Sequence, residues 1–346
     1  MRAKLLIYRV GKMLGLFALA RRLTASRIRI LCYHGAAFGD EGRYNPLLFI
    51  SRNTFERRMN WLQNAGFNVI PLDAAIDAMD SRTVAGRLPV VVTFDDGWHS
   101  TAAQLIPIMA QHGLPSTLYL CTSHFEEGWP VLMVTVNYML WKSDRKRVDL
   151  QGFSELIDGT YSLDQTADRD LLVRRSCQWL GQAPATRSEI VERVHAIAKS
   201  LGLGPDDVDL ASHRFDYMSR EELLCLPNLQ CDVELHGHRH LYPAGNPTAF
   251  AADIAACRAV IVGLGLPEPC HYCYPSGSFD KEAEAVLKGS GVRSATTCTP
   301  GLIASTSRCS QPYYLPRFLD GDSISMLVFE AEMSGFADVL RRLLRR

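Results

Sequence analysis

An apolar, β-branched run, Val90-Val91-Val92-Thr93-Phe94, drives straight into two carboxylates and a glycine, Asp95-Asp96-Gly97. Such a run is too short for a buried helix and ends on a turn sequence, so it predicts a strand buried on both faces. Two charges then stand at the end of a buried strand, where they are costly if dry and unpaired. A metal ion or a cationic partner would remove that cost, so this stretch constrains both fold and chemistry. The alternative is a plain turn, since Asp-Asp-Gly is a common turn sequence.

Around it, short apolar stretches alternate with amphipathic ones. Residues 28–33 have a strand pattern that ends at His34-Gly35. Asn53-x-x-Glu56 reads as the capping box of a helix striped by Phe55, Met59 and Leu62 and stopped near Gly66. A strand over 67–70, a helix over 72–79, a helix over 100–112 and a strand over 115–121 follow. This alternation predicts a parallel sheet with crossover helices. It breaks over 122–215, where polar helical segments at 168–181 and 187–202 read as an insertion. It resumes with the capping box Ser219-x-x-Glu222, strands near 231–235, 271–274, 293–297 and 313–318, and helices over 249–263 and 280–289. The expected division is a basic N-terminal helix (1–27), a barrel (28–121 and 216–320), a helical insertion (122–215) and a C-terminal helix with a basic end (321–346). Polar clusters follow several strands, at His34, Asp95-Asp96, His236 to His240 and Pro275 to Gly277. In a parallel α/β fold those strand ends converge on one face.

With 346 residues, 47% of them hydrophobic, the chain can bury a large core. Lys+Arg and Asp+Glu both number 37, which argues against nucleic-acid binding through bulk charge. Ten cysteines without framework spacing indicate reduced thiols and a cytoplasmic setting. The charge is uneven: eight basic residues precede the first acid, Asp40. The uncharged run 13–20 among them is too short to span a bilayer. Ala18-Leu19-Ala20 has the form of a signal-peptidase site, but Arg21-Arg22 follow at once. A helix packed on the domain is the first reading, a helix on the inner face of an anionic membrane the second, and an export signal the third.

His236-Gly237-His238-Arg239-His240 holds three histidines in five residues. His236 and His240 are spaced to share one metal if the chain turns there, and His238 then points elsewhere. With one Asp oxygen they make a three-ligand set that leaves positions open for water and substrate. The plain alternative is a solvated histidine-rich loop. Cys270-x-x-Cys273 has no second pair, so core thiols are preferred to a zinc or redox site. His34 is a lone histidine after a strand, structural or a general acid, with His99 as a weaker competitor. His271 sits within a strand pattern and reads as a core histidine.

Thr93-Phe94-Asp95-Asp96-Gly97 together with His236-x-x-x-His240 resembles the NodB-homology polysaccharide deacetylases, carbohydrate esterase family 4. Their first motif is T-F-D-D-G and their second H-[ST]-x-x-H; Gly237 replaces the loop-supporting hydroxyl. Cys273-Tyr274-Pro275-Ser276-Gly277 resembles the third motif, R-x-P-[YFG], without its arginine, and Leu315-Pro316-Arg317 resembles the closing strand. The resemblance covers about residues 28–320. It implies an α/β fold, a distorted (β/α) barrel with a mostly helical insertion, and a metal-dependent hydrolase that deacetylates N-acetylated sugars. By position, Asp95 is the base, and Asp96, His236 and His240 are the ligands. The backbone N–H of Ser276 helps to hold the oxyanion, with Pro275 supporting that turn. Arg317 stands in for the missing arginine. Many members carry a late catalytic histidine, whereas the last one here is His271. Tyr33-His34 resembles the early histidine of the poly-N-acetylglucosamine deacetylase branch, which makes His34 the acid. The implied cofactor is a divalent metal, with Zn²⁺ preferred over cobalt or nickel, and the implied partner is an acetylated glycan or lipid-linked sugar. The rivals are a sugar deformylase, an O-acetyl esterase, a non-catalytic carbohydrate-binding relic, and an interaction protein stapled by zinc at Cys270 and Cys273.

Overall fold

Eight strands build the main sheet: β1 (Arg29–Tyr33), β2 (Asn68–Val69), β3 (Pro89–Asp96), β4 (Ser116–Leu120), β5 (Cys231–Leu235), β6 (His271–Cys273), β7 (Ser294–Thr296) and β8 (Phe318–Leu319). The computed structural model describes residues 2–123, 125, 128–182, 186–304 and 311–344. All pairings are parallel, in the order β7-β6-β5-β4-β3-β1-β8, with β2 also against β3. Every residue of β3 is buried, as its unbroken apolar run requires. Closure is irregular. Leu315 bridges to Thr296 beside β7, and Phe318 three residues on pairs with Leu31 of β1. This is the distorted barrel expected from the sequence, closed by a short segment rather than a full strand.

Register brings the carboxyl ends level. Asp96 pairs with Leu120, and Leu120 with Leu235, so His236 leaves its strand beside Asp96. The core inside the crossover helices is built from Leu31, Val90, Val92, Leu118, Val233 and Tyr272, among others.

Several boundaries differ from those expected. The helix Arg52–Asn64 is capped by Ser51, not Asn53; Ser51 has extended backbone, and its Oγ also donates to Asp322 Oδ1 at 3.0 Å. The 100–112 segment starts as a wide π turn, Thr101–Leu105, before Ile106–Gln111. Pro107 lacks the N–H that an α turn would use there. The terminal regions are each two helices: Arg2–Met13 and Leu16–Leu23 break at Gly15, Met326–Met333 and Phe336–Leu344 near Gly335. The insertion holds the expected helices as Thr166–Leu180 and Arg187–Ser200. It adds an apolar helix, Leu132–Lys142, and an antiparallel hairpin of Arg147–Leu150 with Gly159–Ser162. These pack an apolar cluster around Val136, Met139, Leu150, Leu180 and Ile190, into which Trp98 also inserts. Trp98 is two residues beyond Asp96, so the insertion's core is tied directly to the strand end. Among the described residues no helix is long and apolar enough to cross a membrane, and all nine described cysteines are free.

Candidate active site

Asp96 ends β3 in a left-handed conformation, φ 72°, and Gly97 follows at φ 89°. A Cβ on Gly97 would lie 2.5 Å from Leu120 Cδ1, so only glycine lets the chain turn there. The turn aims the Asp96 carboxylate across the strand ends. Its Oδ1 lies 3.1 Å from His236 Nε2 and 3.1 Å from His240 Nε2. His236 is buried, and its Nδ1 lies 2.9 Å from the Cys273 carbonyl. That contact makes Nδ1 the donor and leaves the Nε2 lone pair facing Asp96. His240 comes from the loop, half-exposed, at φ 50°.

These three residues fit a cation. Asp96 Oδ1 is shut off from solvent, yet neither imidazole meets it with hydrogen-bond geometry. Ligand bonds of about 2.1 Å at tetrahedral angles imply donor spacings of about 3.4 Å, close to those seen. The donors thus converge on a point between them. Burial pushes the Asp96 carboxyl up, but the imidazoles, His240 foremost, hold it well below the usual range. It is charged at neutral pH, as a ligand must be.

Asp95 has a different environment. Arg317 Nη1 donates to its Oδ1 at 2.7 Å and Nη2 to its Oδ2 at 2.8 Å, with both residues buried. Arg317 also donates from Nε to the Thr297 carbonyl at 3.1 Å and from Nη1 to Thr93 Oγ1 at 3.1 Å. The thiols of Cys32 and Cys273 each reach Asp95 Oδ2 at 3.5 Å, and Arg317 Nη2 lies 2.9 Å from Cys273 Sγ. Cys273, where the resembled motif has arginine, is small enough to admit the Arg317 guanidinium from the closing segment. Burial raises the Asp95 carboxyl, and Arg317 more than reverses this, leaving it below the usual range. His34 Nε2 is 4.0 Å from Asp95 Oδ2. Burial lowers the His34 imidazole below its ordinary value, against the opposite pull of Asp96 and Asp95.

The Pro275–Gly277 turn follows β6, with Ser276 at φ 54°. A Cβ on Gly237 (φ 81°) would sit 2.8 Å from Asp253 Oδ2 and 3.7 Å from Pro275 Cγ, which places turn and loop side by side. Asp253, on the helix Pro247–Gly263, accepts from the His238 N–H at 2.8 Å and the Arg239 N–H at 3.2 Å. It supports the loop where the resembled motif uses a hydroxyl. The glycine in place of Ser/Thr was the only sequence signal for it. Among the described residues eight non-glycines have positive φ, and Asp96, His240 and Ser276 are three of them. Such strain gathers at functional centres.

The structure therefore brings together His34, Asp95, Asp96, His236, His240 and Arg317, with Pro275 and Ser276 bordering the histidine loop. His238 turns away to Thr122 Oγ1, at 3.0 Å. His99 pairs with Glu222 at 2.8 Å. His271 is buried as expected, and it also contacts Asp73 at 2.9 Å and Ser294 at 2.8 Å. Cys270 and Cys273 belong to different clusters, Cys270 beside Asp73 and His271, Cys273 beside Asp95.

A family model described as polysaccharide deacetylase matches residues 84–203, covering the Asp95-Asp96 motif and most of the insertion. The polysaccharide-deacetylase-type protein YxkH of Bacillus subtilis is 24% identical over 96 residues, which span 28% of this chain and 32% of that protein. Streptococcus pyogenes deacetylase PplD, solved with acetate, superposes with a TM-score of 0.57 at 12% identity, covering 90% of this chain and 99% of that one. IcaB from Ammonifex degensii gives a TM-score of 0.54 at 16% identity, covering 89% and 97%. At those identities the two structures speak for the fold. The family match over residues 84–203, the barrel and the motifs at the strand ends make this chain similar to the polysaccharide deacetylases, with the structures speaking for a shared fold.

Proposed function

We propose that this protein is a divalent-metal-dependent hydrolase that removes acetyl groups from the N-acetylated sugars of a polysaccharide or glycoconjugate, a lipid-linked sugar included. One observation carries the reading: two adjacent carboxylates in different surroundings, Asp96 facing two imidazole nitrogens and Asp95 clamped by Arg317. Asp96, His236 and His240 would hold the ion, with zinc the first expectation. When bound, it would supply Lewis-acid polarisation of the acetyl carbonyl and acidify water.

The chain's own residues do the rest. Arg317 keeps Asp95 ionised at neutral pH and fixes both of its oxygens, so the carboxylate is ready to take a proton from the attacking water. The Ser276 N–H, on the turn beside the histidine loop, helps to hold the oxyanion. His34 gives a proton to the departing amine, which otherwise leaves poorly. Burial outweighs the pull of Asp96 and Asp95 and favours the neutral ring, so in this role His34 takes up its proton within the catalytic cycle before giving it to the amine. The pH–rate profile checks this: an acid role makes turnover fall as pH rises through the His34 titration, and a base role makes it fall as pH drops.

The test is release of acetate or formate from a panel of N-acetylated, O-acetylated and N-formylated sugars, free and polymeric, with Asp95→Asn as the control. Release from N-acetylated substrates, lost in the control, is expected. Release confined to O-acetyl or formyl groups would replace the deacetylase by an esterase or deformylase. No release from any would favour the carbohydrate-binding relic.

A further inference from the structure

Eighteen large apolar side chains are exposed among the described residues, and ten of them lie on the N-terminal helix pair, its connecting turn and the C-terminal helix. On Arg2–Met13 the inward face is Tyr8 and Gly11, both against the Phe336 ring. Leu6, Val10 and Met13 fall on the opposite side, flanked by Ile7 and Leu14; Leu6 is 62% exposed and Met13 78%. On Leu16–Leu23, Phe17 and Ala20 turn inward. Leu16, Leu19 and Leu23 form the outer stripe, with Leu23 70% exposed. Leu343 and Leu344 end the C-terminal helix, equally bare. A surface helix normally turns its one apolar stripe to the core. These carry a second stripe outward while Tyr8, Phe17, Ala331 and Ala337 fasten them to the domain.

The charge around the stripes has one sign. No acid occurs before Asp40. Lys12 pairs with Glu330 and Arg27 with Asp338. Arg9 and Arg22 are exposed beside the apolar ridge, Lys4 is exposed one turn before Tyr8 with its ammonium over that ring, and none of the three forms an ion pair with a described residue. An apolar ridge with a cationic border is complementary to an anionic lipid surface, in which leucines enter the acyl boundary and Lys and Arg meet phosphates. Arg29, at the start of β1, donates to the carbonyls of Thr24 and Met333. The helices therefore join the barrel at the end of β1 opposite His34.

We infer that this three-helix face docks the protein on an anionic phospholipid bilayer, with the helices lying in the interface plane. The test is co-sedimentation of the full chain with vesicles of phosphatidylcholine alone or with about one-third phosphatidylglycerol. Binding to the anionic vesicles, little binding to the neutral ones, and weakening by salt are expected. Leu6→Glu/Val10→Glu/Met13→Glu, and independently Leu19→Glu/Leu23→Glu, weaken partitioning at least about tenfold with an unchanged melting temperature. Lys4→Glu/Arg9→Glu/Arg22→Glu removes the preference for anionic lipid. Absence of binding to anionic vesicles overturns the inference, as does binding that both apolar variants retain. A dimer in solution that the apolar substitutions dissolve, without vesicle binding, would assign the face to a second copy and also overturn it.

Discussion

Replacing Arg317 with glutamine leaves Asp95 buried with no cation against it. In the native protein both carboxylate oxygens are engaged, at 2.7 and 2.8 Å, by a guanidinium that is itself 1% exposed. Removing one partner of such a pair costs about 3–5 kcal/mol, because the other is left uncompensated. The remaining carboxylate escapes by taking a proton. Its native titration lies below the usual range, so its stabilising contribution is present above the unfolded value, near 4, and is lost only as pH falls through the native one. In the variant the shift reverses, and a protonated Asp95 cannot serve as a base at neutral pH. Urea unfolding followed by tryptophan fluorescence should therefore show a loss of about 3–5 kcal/mol, and turnover should collapse with metal content retained. The double variant Asp95→Asn/Arg317→Gln removes both charges, so its cost should fall short of the two single costs added by about 1–3 kcal/mol. An Arg317→Gln protein within about 1 kcal/mol of wild type, with wild-type turnover, would refute the reasoning.

Three further outcomes follow from the same geometry. His34→Ala should lower kcat by about 10²–10⁴-fold and leave metal stoichiometry intact, as read by steady-state kinetics and elemental analysis. Asp253→Ala frees two loop N–H groups and should weaken metal affinity by about 10–100-fold in competition with a chromophoric chelator, while the barrel stays folded. Burial lowers His271 but Asp73 and neighbouring groups raise it further, to about 9. Its contribution to stability is thus complete below about pH 6.5 and lost as pH rises through about 9. Since Asp73 is largely exposed, the effect should be about 1–2 kcal/mol, seen as an alkaline fall in unfolding free energy that Asp73→Asn removes.

Much of the barrel was legible because its physics is local. A strand buried on both faces must be apolar throughout, and Val90 to Phe94 is. The His236 and His240 spacing needed only a turn, and the register of β3, β4 and β5 brought it to Asp96. The partner of Asp95 was less legible, since Arg317 lies 222 residues away in sequence. Its trace was a deficit, the small Cys273 where an arginine was due. Asp253 left less, because a carboxylate on a helix face looks like any solvated one. The insertion hid its own core for a different reason. Leu132–Lys142 is apolar all round and shows no helical stripe. The hairpin strands are four residues each, too short for alternation to stand out. The terminal leucines were visible, but only packing revealed that Tyr8 and Phe17 face inward and leave the others bare.

The central claim is that one ion held by Asp96, His236 and His240 is required for acetate release. Titrating Zn²⁺ into chelator-stripped protein, with an N-acetylated glycan as substrate, measures both at once. The account predicts that activity rises to a plateau at one equivalent. It predicts that Asp96→Asn neither binds nor responds, and that Asp95→Asn binds one equivalent without turning over. Full activity in the stripped protein, or an Asp96→Asn variant that binds and works as wild type does, would contradict it.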